Sequence, residues 1–296
     1  MRFSKVFLAL VLVSPASGKS DELSRAGHGI FAVSYQYIRV DGIAISTGDL
    51  DFGTTDTHSL NFDLLYHLTD RWSLELGIPV VKKRYRGTFP HDPRTIIPAK
   101  NEAFIDDGKY HTNFQDWRIG LSYLIPLGTF TIEPFAAYGI PSNDYPFFAQ
   151  AAVGQNLRKF DLGVSFSYFP GLSDAFYSIE VSRVFVERTL GVSVDHWRVN
   201  AEAGYFFSPR LSARVFGMLK EGDGLGVPED FPPPRNSEWW YQHDRMVRHN
   251  YINVGAGADY ALSDRYLLDF SWLTMVHAEQ VHIVDYAFTV GVSMAF

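Results

Sequence analysis

The sequence contains no cysteine among its 296 residues. This absence excludes disulfide bonds, thiol catalysis and cysteine-ligated zinc. It also contains no apolar run of the roughly 20 residues that a transmembrane helix needs. Basic residues are in the minority, since 26 Lys and Arg stand against 33 Asp and Glu, for a formal net charge of −7. Nucleic acid is not expected as a partner, because binding phosphates requires a basic surface.

Aromatic residues are abundant, with 24 Phe, 16 Tyr and 6 Trp. Together with a hydrophobic fraction of 46%, they exclude a disordered chain. The first residues have the pattern of a secretory signal: Arg2 and Lys5, an apolar run over 6–13, then small residues to Gly18. A short anchoring helix is the alternative, but the apolar run is far too short to span a bilayer. The predicted organisation is a cleaved signal peptide at 1–18, a periplasmic segment at 19–28 and one domain over 29–296.

Apolar and other residues alternate with a period of two along most of the chain, which is typical of β-strands with two different faces. The last strand shows the pattern up to Phe296, with the larger apolar side chains on one face and small or polar ones on the other. Aromatic residues often end the apolar face, as in the girdles of transmembrane barrels. Twelve strands are predicted, at 29–40, 57–68, 71–85, 113–125, 129–140, 159–169, 175–187, 195–207, 211–221, 251–262, 265–278 and 282–296.

The connections between these strands alternate between tight turns and mostly longer loops. The longer ones are predicted at 41–56, 87–112, 141–158 and 221–250, with two shorter members of the same set near 188–194 and 279–281. Short turns on one side and long loops on the other are the topology of bacterial outer-membrane barrels. The predicted fold class is therefore all-β: an antiparallel transmembrane β-barrel of about 12 strands, with short periplasmic turns and long extracellular loops.

The polar face of each strand points inward in such a barrel. The predicted lumen-lining polar residues are Asp63, Glu75, Asp116, Arg118, Glu133, Asp161, Arg198, Glu202, Arg214, Asp259 and Asp269. Acidic residues outnumber basic ones on this face. Two interpretations remain open: a network of ion pairs that fills a narrow barrel, or an acidic lumen that favours cations.

Three further groups are candidate functional residues. Arg39, Lys82 and Arg84 fall on the outward face near the extracellular end, where they could pair with phosphates of lipopolysaccharide, although solvation and snorkelling would explain them equally well. Phe296 is the predicted signal for the barrel-assembly machinery. The long loops carry aromatic residues predicted to form a constriction or binding surface at the mouth, or simply a cap of loops packed on each other: Phe147, Phe148, Phe231, Trp239, Trp240 and Tyr241.

The sequence gives little indication of a catalytic, cofactor or metal site. No nucleotide-binding or metalloprotease motif occurs in a usable context, so no cofactor and no metal is predicted. Loop histidines such as His91, His111 and His243 could gather around a metal, but their spacing gives no support. His58 and His282 have outward parity near the rim, where a lipid-facing Ser–His pair could act, but no outward serine lies next to them. The chain is therefore predicted not to be an enzyme.

Two segments resemble a known family. The segments 68–79 (LTDRWSLELGIP) and 113–123 (NFQDWRIGLSY), with the Phe296 terminus, resemble MetA-type (phenol-degradation pathway) outer-membrane transporters. The resemblance spans most of the mature chain. The shared sequence patterns are typical of barrel hairpins and do not identify a substrate. It implies import of small molecules, aromatic ones among them. The expected function is passive or facilitated passage of a small solute across the bacterial outer membrane. The alternatives are a closed structural or surface-interaction barrel and an outer-membrane lipid-modifying enzyme.

Overall fold

The computed structural model describes residues 26–97, 100, 102–171 and 173–296. The predicted signal peptide 1–18 and most of the predicted segment 19–28 lie outside the described residues. Three helices of four residues each lie in the loops: α1 (Pro93–Ile96), α2 (Glu238–Tyr241) and α3 (His243–Met246). None of the helices in the described part of the chain is long and apolar enough to cross a membrane.

All strands belong to one antiparallel sheet. In chain order they are β1 (Gly29–Ile45), β2 (Gly48–His67), β3 (Trp72–Gly87), β4 (His111–Phe114), β5 (Trp117–Tyr123), β6 (Ile125–Leu127), β7 (Phe130–Ile140), β8 (Lys159–Tyr168), β9 (Ala175–Val186), β10 (His196–Ser208), β11 (Leu211–Gly222), β12 (Asn250–Ala261), β13 (Tyr266–Glu279) and β14 (Val281–Ala295).

The sheet closes on itself because β1 pairs with β14, from Ile30 opposite Ala295 to Ala44 opposite Val281. The segments β4, β5 and β6 follow one another along a single position between β3 and β7. The barrel thus has twelve strand positions, and the predicted fold class and strand number are confirmed. Closure pairs the first strand with the last, as a lipid environment requires.

The predicted strand 113–125 is interrupted at Gln115 and Asp116. Val80 pairs with Phe114 and Gly77 with Arg118, so the later strand carries one extra residue, which is a β-bulge. Pro79 lies opposite the bulge and has no N–H to donate. The backbone N–H of Gln115 still donates to the Pro79 carbonyl oxygen at 3.0 Å.

The prediction that residues 41–56 form a long loop is wrong. The β1–β2 ladder continues to Ile45 opposite Gly48, which leaves a two-residue turn at 46–47. The hairpin extends beyond the apolar belt, and its three glycines with positive φ, at 42, 48 and 53, are typical of turns, so the sequence pattern favoured a loop. Its tip contacts the longest loop, since the Ser46 hydroxyl donates to the Val227 carbonyl oxygen at 3.0 Å and also bonds Glu229.

The outer face of the barrel is apolar. Phe270, Leu162 and Val215 have 49%, 52% and 61% of their surface exposed, as side chains facing lipid would. Aromatic pairs lie near the tight turns. The rings of Trp72 and Tyr123 are 4.8 Å apart, and the stacked rings of Phe130 and Tyr168 are 4.3 Å apart.

Large inward side chains fit because glycines face them on neighbouring strands. The ring of Phe135 covers Gly163, where a Cβ would lie 2.6 Å from the ring. The ring of Phe176 covers Gly204 in the same way. These glycines are required by close approach, since protein interiors do not tolerate such overlaps.

Candidate functional site

A cavity of about 870 Å³ runs through the barrel. It reaches from Ile30 and Ser73, near the tight turns, to Lys220 and His282, near the long loops. Binding sites for small molecules are typically cavities of about 300–1,000 Å³. The cavity is therefore the candidate functional site of this chain.

Most predicted lumen residues line this cavity, namely Asp63, Glu75, Asp116, Arg118, Glu133, Asp161, Arg198 and Asp269. Glu202, Arg214 and Asp259 also point inward, but they are not among its lining residues. Arg214 approaches both carboxylate oxygens of Asp259 at 2.7 and 2.8 Å and lies 3.3 Å from Glu202. This ion-pair cluster is buried, because its members cover one another.

The charged side chains of the cavity are concentrated on one part of the wall, from β3 to β11. Arg118 donates to Glu75 at 2.7 Å, and Arg198 donates to Asp161 at 2.8 Å. Lys159 donates to Asp116 at 3.1 Å. These pairs hold the three basic groups against the wall, since each of the three has a carboxylate within contact distance.

The opposite part of the wall, from β11 through β14 to β1, is mainly apolar in its extracellular half, where His282 and Asn253 are its polar members. Its apolar side chains are Ile38, Val40, Met218, Tyr251, Met275, Val281 and Val284. The cavity therefore has two faces of different chemistry. An apolar body can lie against one while a polar or charged group reaches the other.

The extracellular loops pack together into a cap. A cluster of buried residues joins three of the loops, and its members are Ile97, Phe147, Phe148, Phe231, Trp240, Tyr241, Met246 and Val247. Five of the six predicted mouth aromatics belong to it. Trp239 does not, since 46% of its surface is exposed.

Loop 141–158 folds inward and contacts the barrel wall. Lys83 on β3 donates to the carbonyl oxygen of Ala152 at 2.9 Å. The Tyr145 hydroxyl bonds Asp116 at the bulge. Val153 and Gln155 line the cavity, so this loop forms part of its extracellular wall. Mutual packing of the loops and inward folding therefore occur together.

The predicted outward basic residues gather around Asp56, which the sequence had placed in a loop. Arg39, Arg84 and Arg86 lie 2.9, 2.8 and 3.1 Å from its carboxylate. Lys82 lies 5.0 Å from the centre of the Tyr110 ring. The alternation along β2 places Asp56 on the outward face, beside these cations. The sequence did not show this, because β2 was predicted to begin at 57 and not at Gly48.

The ring of His58 at the rim contacts tyrosine hydroxyls, not a serine. The Nδ1 and Nε2 atoms of His58 lie 2.7 and 3.0 Å from the hydroxyl oxygens of Tyr35 and Tyr110. The prediction that His282 faces outward is wrong, since it lines the cavity. The β1–β14 register shifts twice between Arg39 and Ile43, which breaks the simple alternation.

The structure brings together three loop residues that sequence spacing did not connect. Ligand atoms of His91, His243 and Asp244 all lie within 4.8 Å of one another. Burial lowers the pKa of His91 to about 4, although the nearby Asp244 opposes the shift. Burial acts to raise the pKa of Asp244, but His243 and His91 outweigh it and hold that pKa below its ordinary value.

Two cavity residues, Lys159 and Lys220, were missed in the sequence. Both have inward parity, because Lys159 pairs with the inward Gly139 and Lys220 with the inward Arg198. The signal was present in the strand pattern. It was overlooked because both residues lie at the extracellular strand ends, where lysine is usually exposed.

No protein-family model matches the chain, and no curated protein matches it. Its structure is similar to the COG4313 outer membrane channel from Pseudomonas putida F1, with a TM-score of 0.69 and 13% identity over 92% of this chain and 96% of that one.

Two other barrels are similar over comparable lengths. The NanC porin has a TM-score of 0.53 and 9% identity over 89% of this chain and 98% of that one. The translocator domain of autotransporter NalP from Neisseria meningitidis has a TM-score of 0.51 and 9% identity over 94% and 92%. At these identities the likeness concerns the fold, and it identifies the chain as an outer-membrane β-barrel.

Proposed function

We propose that this barrel is a channel for small solutes that combine an apolar body with a polar or charged group. The observation that carries the proposal is the cavity of about 870 Å³, with its apolar wall at β11–β14 and β1 and its charged wall at β3–β11. Passage would be passive or facilitated, in the bacterial outer membrane, with no covalent step.

The apolar wall favours aromatic solutes within this class. Met218, Met275 and Tyr251 all lie on it. Methionine sulfur makes favourable contacts with aromatic rings, and its flexible side chain adapts to different ring shapes. This chemistry supports the substrate class implied by the MetA-type resemblance. The likeness to the Pseudomonas putida channel supports passage in general and names no solute.

The loop cap supports a second candidate, a closed structural or surface-interaction barrel. Tyr145, Phe148, Ala151 and Leu157 of the inward loop have 1% or less of their surface exposed. A cap this well packed would block passage unless it opens. The enzyme alternative has no comparable support, because the His58 ring nitrogens bond phenol oxygens.

Single-channel conductance of the refolded chain in a planar bilayer separates the two candidates. We expect salt-dependent current steps, because the cavity is lined by charged groups along its length. Folding is checked first by the heat-dependent mobility of the barrel on an electrophoresis gel. Absence of current from protein that passes this check would reject the channel and favour the closed barrel.

Solute preference is tested by liposome swelling with benzoate and with a non-aromatic carboxylate of similar size. Met275→Asn should reduce the preference for benzoate, because it places an amide on the apolar wall. The matched control is Thr274→Asn, since Thr274 is the neighbouring residue on the opposite face of β13. Equal permeation of both solutes in the unmodified chain would contradict the aromatic preference.

A further inference from the structure

The cluster of His91, His243 and Asp244 joins two separate loops. His91 belongs to loop 88–110, two residues before α1. His243 and Asp244 belong to α3 within loop 223–249. The proposed passage of solutes does not use these three side chains, since none of them lines the cavity.

The distances within the cluster suit a small metal ion. His243 Nε2 lies 3.1 Å from Asp244 Oδ1, and His91 Nδ1 lies 3.9 Å from Asp244 Oδ2. Around a tetrahedral zinc ion with bonds of about 2.1 Å, ligand atoms are about 3.4 Å apart. The two observed distances lie on either side of this value.

Each of the two imidazoles keeps one nitrogen atom available to a metal ion. His91 Nδ1 is buried and has no hydrogen-bond partner in the described part of the chain. His243 Nδ1 lies 2.7 Å from the carbonyl oxygen of Trp240. A proton on Nδ1 leaves the Nε2 lone pair directed toward Asp244, which is how a backbone carbonyl orients a metal-bound histidine.

Neighbouring groups fix both rings in place. His91 stacks on Phe148 with ring centres 4.8 Å apart, and His243 stacks on Trp240 with centres 4.3 Å apart. The backbone N–H of His91 donates to Asp106 Oδ2 at 2.8 Å. A site whose ligands are held by packing and outer hydrogen bonds loses little entropy when it binds a metal.

We propose that His91, His243 and Asp244 bind a divalent transition metal, for which zinc is the best match. Two imidazoles and one carboxylate are common zinc ligands, and a fourth position would be left for water. Bound zinc would tie loop 88–110 to loop 223–249 above the cavity. The metal would thereby stabilise the cap.

Equilibrium dialysis of the untagged, folded chain against Zn²⁺ tests the site. We expect one zinc per chain, and a loss of affinity of more than roughly 100-fold in His243→Asn and in Asp244→Asn. The matched control is His111→Asn, because His111, at the start of β4, bonds Asp107 at 2.8 Å, outside the cluster. This control should keep the bound zinc.

Limited proteolysis of loop 223–249 provides a second measurement. Zn²⁺ should slow cleavage in the unmodified chain and in His111→Asn, but not in Asp244→Asn. Asp244→Asn changes only one oxygen to an amide, so the loop is expected to stay packed. Absence of zinc binding by the unmodified chain, or undiminished binding in both cluster variants, would overturn the proposal without affecting the channel.

Discussion

The Nζ atom of Lys83 lies 2.9 Å from the carbonyl oxygen of Ala152, so the barrel wall is bonded directly to the loop that folds across its mouth. Lys83 is inward on β3, opposite Thr57. A hydrogen bond from a charged donor contributes about 1.5–3 kcal/mol. Removing this hydrogen bond is therefore expected to change the position of loop 141–158.

Lys83→Met should loosen the inward loop. The methionine keeps most of the length of the side chain but removes the donor, so we expect longer or more frequent open periods in single-channel recordings. Lys109→Met is the matched control, because 81% of the Lys109 side chain is exposed. Identical recordings for the two variants would show that the bond to Ala152 does not restrain the loop.

The cavity should prefer cations modestly. Among the described lining residues, seven are Asp or Glu and five are Lys or Arg. Asp63 and Asp269 have no ion-pair partner in the described part of the chain, so their charge is the least compensated. The double variant Asp63→Asn, Asp269→Asn should lower the cation preference, as measured by the reversal potential in a salt gradient. Anion preference in the unmodified chain would reject the acidic-lumen interpretation.

The outward cations at the extracellular rim should retain lipopolysaccharide. Changing Arg39 and Lys82 together to Gln removes two outward cations, and each lost charged bond to phosphate should weaken binding roughly tenfold. The measurement is the amount of lipopolysaccharide that remains with the purified barrel. Arg71→Gln with Arg210→Gln, at the tight turns, is the control pair. Equal retention by both double variants would leave solvation as the role of the rim cations.

Gly204→Ala should destabilise the barrel, because the new methyl group would overlap the Phe176 ring. Overpacking of this kind costs about 1–3 kcal/mol. The urea midpoint of unfolding measures the loss. Gly217→Ala is the matched control, since an added Cβ there meets only the Asn253 carbonyl oxygen, at 3.9 Å. A loss of the same size in both variants would mean that contact with Phe176 is not the cause.

Phe296→Ala should reduce assembly in the outer membrane. The backbone of Phe296 bonds Gly29 in both directions, at 2.9 and 3.0 Å, and alanine preserves these bonds. The variant therefore isolates the ring, which is 47% exposed, as a signal for the barrel-assembly machinery. Folded barrel in outer-membrane fractions is the quantity to compare. Phe296→Tyr should assemble normally, and normal assembly of Phe296→Ala would rule out the ring as the signal.

The sequence by itself determined the strands that cross the membrane. A strand exposed to lipid on one face and to a polar interior on the other must alternate, so the pattern around Phe270 or Leu162 can be interpreted without tertiary information. The same alternation placed eight of the eleven predicted lumen residues correctly on the cavity wall. It failed for His282, because the irregular register between β1 and β14 near Val40 changes the face of the residues beyond it.

Only the tertiary structure decided which charged and loop residues meet. Strand parity places Arg214 and Arg198 inside the barrel alike, but only the packing shows that Arg214 is covered by Asp259 and Glu202 while Arg198 lines the cavity. His91 and His243 are 152 positions apart and share no pattern. Their contact follows from two loops meeting above a closed barrel, a consequence of long-range packing that no local periodicity encodes.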